Sequence, residues 1–183
     1  MKLGLVIPAY NEAGCIAEVL REIPAGLASQ IIVVDNGSTD ETAALARACG
    51  AEVVREERRG YGQARFVGTT HLHDDIEAIG FLDADGSDDP RQLPQLLLPI
   101  ERGEADLVVS ARTLGDAQEK LTVQQRFGNR LAVGLIHLLW GHRYTDLGPM
   151  RVVRRDALER LDLRERTWGW PASCGRCKWP SAV

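Results

Sequence analysis

The sequence lacks the long apolar and basic segments that mark several classes of protein. Its longest apolar run, residues 131–140, is well short of the roughly 20 residues that a transmembrane helix needs. The N-terminal apolar run breaks at Pro8 and carries no cleavage site, unlike a secretory leader. No block of lysine and arginine is present and the formal net charge is −4, which argues against a nucleic-acid binder. These absences predict a cytoplasmic protein.

Several short catalytic and nucleotide-binding motifs are also missing. The first predicted strand is followed by PAYNEAG rather than GxGxxG, which argues against an NAD-dependent enzyme. No GxxxxGK[ST] phosphate loop is present, so an ordinary ATPase is not indicated. The GxSxG nucleophile elbow and the HExxH zinc motif are absent as well.

Cysteine is too sparse to indicate a structural zinc site. Cys15 and Cys49 stand singly in helix-like segments and are expected to be small buried apolar residues. Cys174 and Cys177 form a single CxxC, whereas a structural zinc site needs about four ligands. Completing such a site would require histidines from elsewhere in the chain, namely His71, His73, His137 or His142. Zinc is therefore only a minor alternative.

The sequence does contain a regular alternation of apolar runs and amphipathic segments. Apolar runs bounded by turn residues predict strands at residues 3–7, 30–35, 52–55, 79–83, 107–110 and 151–155. Helices are predicted at residues 12–27, 40–49 and 122–140. Three further helices are predicted: one that follows the RRGYGQAR loop and ends near residue 72, one that begins at residue 90 and one that begins at residue 156. Pro94 and Pro99 are expected to kink or shorten the helix that begins at Pro90. This order predicts an α/β domain with a Rossmann-like, mainly parallel sheet and helices on both faces.

The stretch FLDADGSDDP, residues 81–90, concentrates negative charge at the end of a predicted strand. Its aspartates are Asp83, Asp85, Asp88 and Asp89. Carboxylate, hydroxyl and water oxygens suit Mg²⁺ or Mn²⁺ rather than zinc. We therefore predict a divalent metal at Asp83 and Asp85, which are expected to alternate across the strand end. For Asp88 and Asp89, a solvated loop that caps the helix at Pro90 is favoured.

Polar motifs follow four of the predicted strands, where an open parallel sheet binds its ligands. They are PAYNE at residues 8–12, DNGSTD at 35–40, DADGSDD at 83–89 and SAR at 110–112. A phosphate-bearing substrate also needs cations, for which the candidates are Arg59, Arg65, Arg112 and Arg126. The glycines of RRGYGQAR, residues 58–65, allow backbone amides to approach a ligand closely.

Five motifs in order resemble one known family. They are VIPAYNEA, IIVVDNGSTDET, RGYGQAR, FLDADGSDDP and TDLGPMRVVRR. Together they resemble the family-two glycosyltransferases of the GT-A fold, and most of all the dolichyl-phosphate or polyprenyl-phosphate sugar transferases. The resemblance covers roughly residues 1–170. It implies a cell-envelope hexosyltransferase that uses Mg²⁺ or Mn²⁺ to move a sugar from a GDP-mannose or UDP-glucose type of donor to an acceptor, polyprenyl phosphate.

The resemblance also implies roles for individual residues. Those that would bind the donor's base, ribose or diphosphate are Pro8, Tyr10, Glu12, Asp35, Gly37, Ser38, Asp83 and Arg112. Those that would hold the metal are Asp83, Asp85 and Ser87, where Ser87 stands in place of a glutamine ligand of some relatives. Those implied to act in catalysis are Asp85, Arg126 on a phosphate, and Asp146 as general base in the acceptor-side motif.

The end of the chain departs from the family pattern. After Trp168 it reads GWPASCGRCKWPSAV, without periodicity and with two cysteines and two prolines among its last thirteen residues. We predict a GT-A domain at residues 1–167, shortened at its C-terminal end relative to the family, and an atypical tail at 168–183 that is expected to be disordered. A redox CxxC or half of a zinc site is the functional alternative for the tail.

Alternatives remain open for the function and for the location. One is a truncated, inactive nucleotide-sugar-binding domain, and another is a sugar-phosphate nucleotidyltransferase, which lacks support because no GGxGxR-type start follows the first strand. The helix at residues 122–140 is expected to face the core. A peripheral contact with the inner face of the membrane is the alternative, because Trp140, His142 and Arg143 cluster at its end.

Overall fold

The computed structural model describes residues 1–110 and 150–160 of the 183-residue chain. Within these ranges the strands are β1 (Leu3–Ala9), β2 (Ala28–Asp35), β3 (Glu52–Arg55), β4 (Ala78–Phe81), β5 (Leu107–Val109) and β6 (Arg151–Arg154). They form one sheet in the order β3-β2-β1-β4-β6-β5. β1 pairs in parallel with β2 and β4, and β2 with β3, whereas β6 runs antiparallel to both β4 and β5. The prediction of a mainly parallel α/β sheet is confirmed.

Helices pack on both faces of this sheet, as predicted. They are α1 (Ile16–Glu22), α2 (Thr42–Ala48), α3 (Tyr61–Thr70), α4 (Leu93–Glu101) and α5 (Arg155–Arg160). α1, α2 and α4 contribute Ile16, Ala46 and Leu93 to one apolar core. α3 and α5 contribute Ala64 and Ala157 to a second core on the opposite face.

The central strand β1 shows why these strands read as continuous apolar runs. Leu5 and Ile7 point into the first core and Val6 points into the second, and all three are fully buried. A parallel strand covered on both faces has no solvent side, so the polar positions of an alternating pattern are absent.

Helix α3 approaches the sheet closely because of one glycine. A Cβ atom on Gly68 would overlap the side chain of Val6 and lie 3.0 Å from Cγ2 of Val34. Both neighbours are β-branched residues with stiff side chains. Gly68 therefore sets how near α3 lies to β1 and β2.

Several predicted boundaries were wrong. The helix predicted at residues 12–27 is confined to α1, because Glu12 and Cys15 form a separate turn and Ile23, which precedes Pro24, is extended. The strand predicted at residues 79–83 ends at Phe81, where its pairing with Val6 of β1 ends. Asp83 and Asp85 consequently lie in a loop, and the expected alternation across a strand end does not apply.

Smaller corrections concern the prolines and the cysteines. Pro94 lies in the first turn of α4, where its missing N–H is not needed, and α4 ends two residues after Pro99. Cys15 and Cys49 are free and half-buried rather than fully buried. The predicted helix at residues 122–140 and the tail at 168–183 lie outside the described residues. No helix in the described ranges has the length and apolar character needed to cross a bilayer.

Candidate active site

The turns that follow β1 and β2 are joined by side-chain hydrogen bonds. The amide of Asn11 donates to Oγ of Ser38 at 3.0 Å, and the amide of Thr39 donates to Oδ1 of Asn11 at 2.8 Å. The amide of Glu12 donates to Oγ1 of Thr42 at 2.8 Å. Asn11 adopts a left-handed backbone with φ of 56°, which asparagine tolerates better than most residues. The PAYNE and DNGSTD motifs therefore form one continuous rim at the carboxyl edge of the sheet.

Asp35 is the buried carboxylate of this rim. Its side chain is 2% exposed, and its Oδ1 accepts a hydrogen bond from the amide of Ser38 at 2.8 Å. Gly37 completes the turn with φ of +82°, a conformation that favours glycine. Oδ2 lies 3.4 Å from Nη1 of Arg55. The sequence analysis missed Arg55, although it ends β3 in register with Asp35.

Asn36 links this turn to the loop between β3 and α3. Its side-chain amide donates to the carbonyl oxygens of Glu56 at 3.0 Å and Arg58 at 2.9 Å. Its Oδ1 accepts from the amide of Gly60 at 2.8 Å. Because the side chain reaches both ends of residues 56–60, it fixes the loop that carries Arg59 and leads into α3 at Tyr61. The sequence analysis missed this role, for which an asparagine directly after a strand was the available signal.

Tyr10 and Arg59 form an exposed stack beside Asp35's turn. The Tyr10 side chain is among the exposed large hydrophobic residues, at 42% exposure. The guanidinium carbon of Arg59 lies 4.5 Å from its ring centroid, within cation–π distance. An exposed aromatic ring and a guanidinium plane provide flat surfaces of the kind on which a base can stack. Pro8 lies in β1 two residues before Tyr10.

The acidic loop after β4 reaches the same rim. The pKa of Glu12 is raised above its usual value of 4.5, first by partial burial and then by the charges of Asp85, Asp40 and Asp83. The three motifs that carry these residues are thus close enough for their charges to interact. Oδ1 of Asp85 accepts the amide of Ser87 at 2.9 Å, which orders the loop locally.

Two residues of α3 hold the other aspartate of this loop. The hydroxyl of Tyr61 donates to Oδ1 of Asp83 at 2.6 Å, and Nη2 of Arg65 lies 3.5 Å from the same oxygen. The side chain of Arg65 is completely buried, so it does not present an open phosphate contact as the sequence analysis expected. Tyr61 was not singled out from the sequence.

Of the remaining predicted residues, Asp89 lies within the described ranges and three others do not. Asp89 caps the short 3₁₀ turn at Pro90–Gln92, since its side chain accepts the amide of Arg91, which confirms the expected capping role. The predicted residues outside the described ranges are Arg112, Arg126 and Asp146.

The described residues fit a metal that is shared with a substrate better than a metal held by protein alone. Among residues 1–110 and 150–160, no group of three or more His, Cys, Asp or Glu could hold a metal ion. Mg²⁺ and related ions are commonly held by one or two carboxylates together with substrate phosphates. Asp83 and Asp85 supply two carboxylates, and the charges of both also act on Glu12, whose pKa is raised first by partial burial and then by these neighbours.

The raised pKa of Glu12 predicts a pH-dependent stability effect. Because the folded-state pKa is above the unfolded value, the folded protein binds more protons and loses stability as the pH rises through this interval. Glu12→Gln is therefore expected to raise the midpoint of thermal unfolding at pH 7, and this advantage is expected to disappear as the pH falls below about 4. Differential scanning fluorimetry of the metal-free protein across this range measures it.

Glu18→Gln is the matched control for this prediction. Glu18 is exposed in the first turn of α1, where a negative charge favours the helix. The control is expected to show no increase at pH 7. A lower midpoint for Glu12→Gln than for the unmodified protein would contradict the electrostatic account.

Comparison with known proteins assigns the chain to a family. The family described as "Glycosyl transferase family 2" matches residues 5–162. An uncharacterized glycosyltransferase of Mycobacterium tuberculosis is 39% identical over 173 residues, which cover 91% of this chain and 74% of the relative. An undecaprenyl-phosphate 4-deoxy-4-formamido-L-arabinose transferase of Klebsiella pneumoniae is 31% identical over 180 residues, covering 91% of this chain and 53% of the relative.

Solved structures with the same fold are also glycosyltransferases. Glucosyl-3-phosphoglycerate synthase of Mycobacterium tuberculosis, in complex with Mn²⁺, UDP-glucose and phosphoglyceric acid, matches with a TM-score of 0.64 and 28% identity. The match covers 86% of this chain and 57% of the synthase. The expected GT-A fold and the resemblance to family-two glycosyltransferases are confirmed, and so is the prediction of a glycosyltransferase.

Proposed function

This chain belongs to glycosyl transferase family 2, and on that premise we propose that it moves a sugar from a nucleotide-sugar donor to polyprenyl phosphate with Mg²⁺ or Mn²⁺. The observation that carries the proposal is the convergence of Glu12, Asp83 and Asp85 on a rim shared with Asp35. A negative field beside a turn suited to a nucleobase is the arrangement that a metal-bound nucleoside diphosphate requires. In the proposal, the bound metal supplies positive charge to the departing diphosphate.

The donor's nucleoside is proposed to lie along the rim of β1 and β2. Asp35 offers carboxylate oxygens to N–H groups of the base, and its turn is held by Gly37 and Ser38. Tyr10 provides a stacking surface, and Pro8 and Glu12 complete the base and ribose pocket. The pairing of Asp35 with Arg55 places a donor group next to an acceptor group, as the edge of a base requires.

The donor's diphosphate is proposed to lie over the loop after β4. Asp85 is the proposed direct metal ligand, Asp83 contacts the ribose or the metal shell, and Ser87 is a proposed further ligand. Arg112 and Arg126 are proposed to neutralise phosphate charge, since guanidinium groups bind phosphate oxygens in bidentate fashion. Asp146 remains the proposed general base for a hydroxyl acceptor.

A phosphate acceptor needs little help from a base. Its oxygen is already anionic, so the demand on the protein is to orient it and to stabilise the leaving group. The Klebsiella relative, whose name contains undecaprenyl phosphate, supports a lipid-phosphate acceptor. The solved synthase, which was crystallised with phosphoglyceric acid, supports a small phosphorylated acceptor as the alternative. A lipid acceptor requires the protein to act at a membrane surface, and we propose that it contacts the inner face of the membrane.

The proposed domain limits follow the family match. We propose a GT-A domain at residues 1–167 because the match spans residues 5–162. The tail at 168–183 is proposed to lie outside it. The chain spans 57% of the length of the solved synthase that it matches, so transfer by these residues needs direct measurement.

A donor screen tests the proposed function. Titration calorimetry with UDP-glucose and GDP-mannose, each with and without Mn²⁺, is expected to show metal-dependent binding of one donor. Transfer of labelled sugar is then measured to undecaprenyl phosphate and, in parallel, to 3-phosphoglycerate. Product on the lipid supports the proposal, whereas product on phosphoglycerate alone contradicts the lipid acceptor.

The same screen separates transfer from binding. Metal-dependent donor binding without transfer to either acceptor would favour the nucleotide-sugar-binding alternative. The absence of metal-dependent binding to both donors would contradict the proposed function as a whole.

A further inference from the structure

Arg65 is a buried cation next to the acidic loop, and the proposed function assigns it no role. The side chain of Arg65 is 0% exposed, and its guanidinium carbon lies 4.1 Å from the ring centroid of Tyr61 and 5.1 Å from that of Phe81. Burying a charge is costly unless it is paired. Among the described residues, Nη2 of Arg65 lies 3.5 Å from Oδ1 of Asp83 in the loop and contacts the hydroxyl of Tyr61.

Tyr61 and Arg65 act on one oxygen of Asp83. They are four residues apart on α3 and therefore lie on the same face of the helix. The hydroxyl of Tyr61 donates to Oδ1 at 2.6 Å. A phenol carries its proton at neutral pH, so the hydroxyl is available as a hydrogen-bond donor.

Asp83 needs such support because it lies outside regular structure. β4 ends at Phe81, and the ladder with β1 ends with it. Helix α3, in contrast, is held at both ends. Asn36 accepts the amide of Gly60 at its start, and Gly68 allows its second half to lie against Val6. A rigid helix thus contacts a loop whose own backbone pairing has ended.

We infer that Tyr61 and Arg65 are positioning residues that hold the carboxylate of Asp83 in the orientation needed to bind the nucleoside diphosphate. This inference rests on the proposed function. It assigns different supports to the two aspartates: Asp83 is oriented by α3, whereas Asp85 is ordered by the amide of Ser87 within its own loop. Loss of the Tyr61 hydroxyl should therefore act on donor affinity through Asp83.

A double-mutant cycle on nucleotide binding tests this coupling. Unmodified protein, Tyr61→Phe, Asp83→Ala and the double variant are titrated with UDP and with GDP, each in the presence of Mn²⁺. Tyr61→Phe is expected to weaken binding about tenfold, the size expected for one hydrogen bond to a charged acceptor. In the Asp83→Ala background, which has no side-chain acceptor, the same change is expected to alter binding less than about twofold.

Additional variants separate positioning from general packing. Thr70→Val removes an exposed hydroxyl from the same helix, one that donates to the carbonyl oxygen of Val67, and is expected to bind like the unmodified protein. Arg65→Lys, which keeps the charge, is expected to retain more affinity than Arg65→Met. If the Arg65 variants do not fold, the Tyr61 cycle still decides the question.

The possible outcomes separate failure of the positioning role of Tyr61 and Arg65 from failure of the proposed function. Equal losses from Tyr61→Phe in both backgrounds would show an effect through packing and overturn the inference alone. Unchanged binding in Tyr61→Phe would overturn it as well. If the unmodified protein binds neither nucleotide with Mn²⁺, the proposed function fails and this inference fails with it.

Discussion

Asp85→Asn is expected to lower sugar transfer by about 10²–10³-fold, the scale of losing one preorganised electrostatic contact to a developing charge. Asparagine has nearly the same shape, and Asp85 lies in a loop where its side chain accepts only a local amide among the hydrogen bonds seen here. The substitution removes one of the charges that act on Glu12 and, in the proposal, the direct metal ligand. Initial rates over a series of Mn²⁺ concentrations measure it, and saturation is expected to shift to higher Mn²⁺.

Asp89→Asn provides a control of identical chemistry. It removes the same charge four residues further along, where the side chain caps the turn at Pro90–Gln92. Asparagine caps helices about as well as aspartate, so the fold is expected to be unchanged. Equal losses in both variants, or full activity in Asp85→Asn, would contradict the assignment of Asp85 as the metal ligand.

Phe81→Ala is expected to reduce the free energy of unfolding by about 3–5 kcal/mol, the range for truncating a buried phenylalanine. Phe81 is fully buried at the end of β4 and belongs to the core beneath α3 and α5. Its ring also lies 5.1 Å from the guanidinium carbon of Arg65. The cavity would thus lie beside a buried charge. Since small domains are stable by only about 5–15 kcal/mol, this is a large fraction of the total.

Urea denaturation followed by circular dichroism measures this loss, and two substitutions calibrate it. Phe81→Leu keeps most of the apolar volume and is expected to cost much less than alanine. Leu98→Ala truncates a side chain of α4 that is 44% exposed and is expected to cost less than about 1 kcal/mol. A Phe81→Ala loss as small as that of Leu98→Ala would contradict the tightly packed core described for this face.

Phe81 and the acidic loop that contains Asp85 lie at the same end of β4. Phe81 is the last residue of the strand, and the metal-binding loop proposed here begins two residues later. Arg65 contacts both, since it lies near the ring of Phe81 and the carboxylate of Asp83. Packing beneath the sheet edge and orientation of the acidic loop therefore depend on the same side chains.

The rim of the site was predictable from the sequence because of how parallel strands are arranged. β1, β2 and β4 read as apolar runs, since they are buried on both faces, and each is followed by a polar motif. Parallel strands place their carboxyl ends at one edge of the sheet, so the motifs had to meet there. The motifs that contain Tyr10, Asp35 and Asp85 could be placed on this ground, and the family resemblance then singled out the individual residues. The roles of these residues stay predictions, as do those of Arg112, Arg126 and Asp146.

The contacts that hold the residues of the rim in place could be seen only in the tertiary structure. The burial of Arg65 against Asp83, the pairing of Arg55 with Asp35 and the loop contacts of Asn36 join residues 18 to 24 positions apart. The antiparallel insertion of β6 between β4 and β5 joins segments still further apart. Local propensity and periodicity describe neighbours within a few residues. Long-range contacts depend instead on how the helices and strands pack, which is why the sequence determined where the site lies and the fold determined what holds it in place.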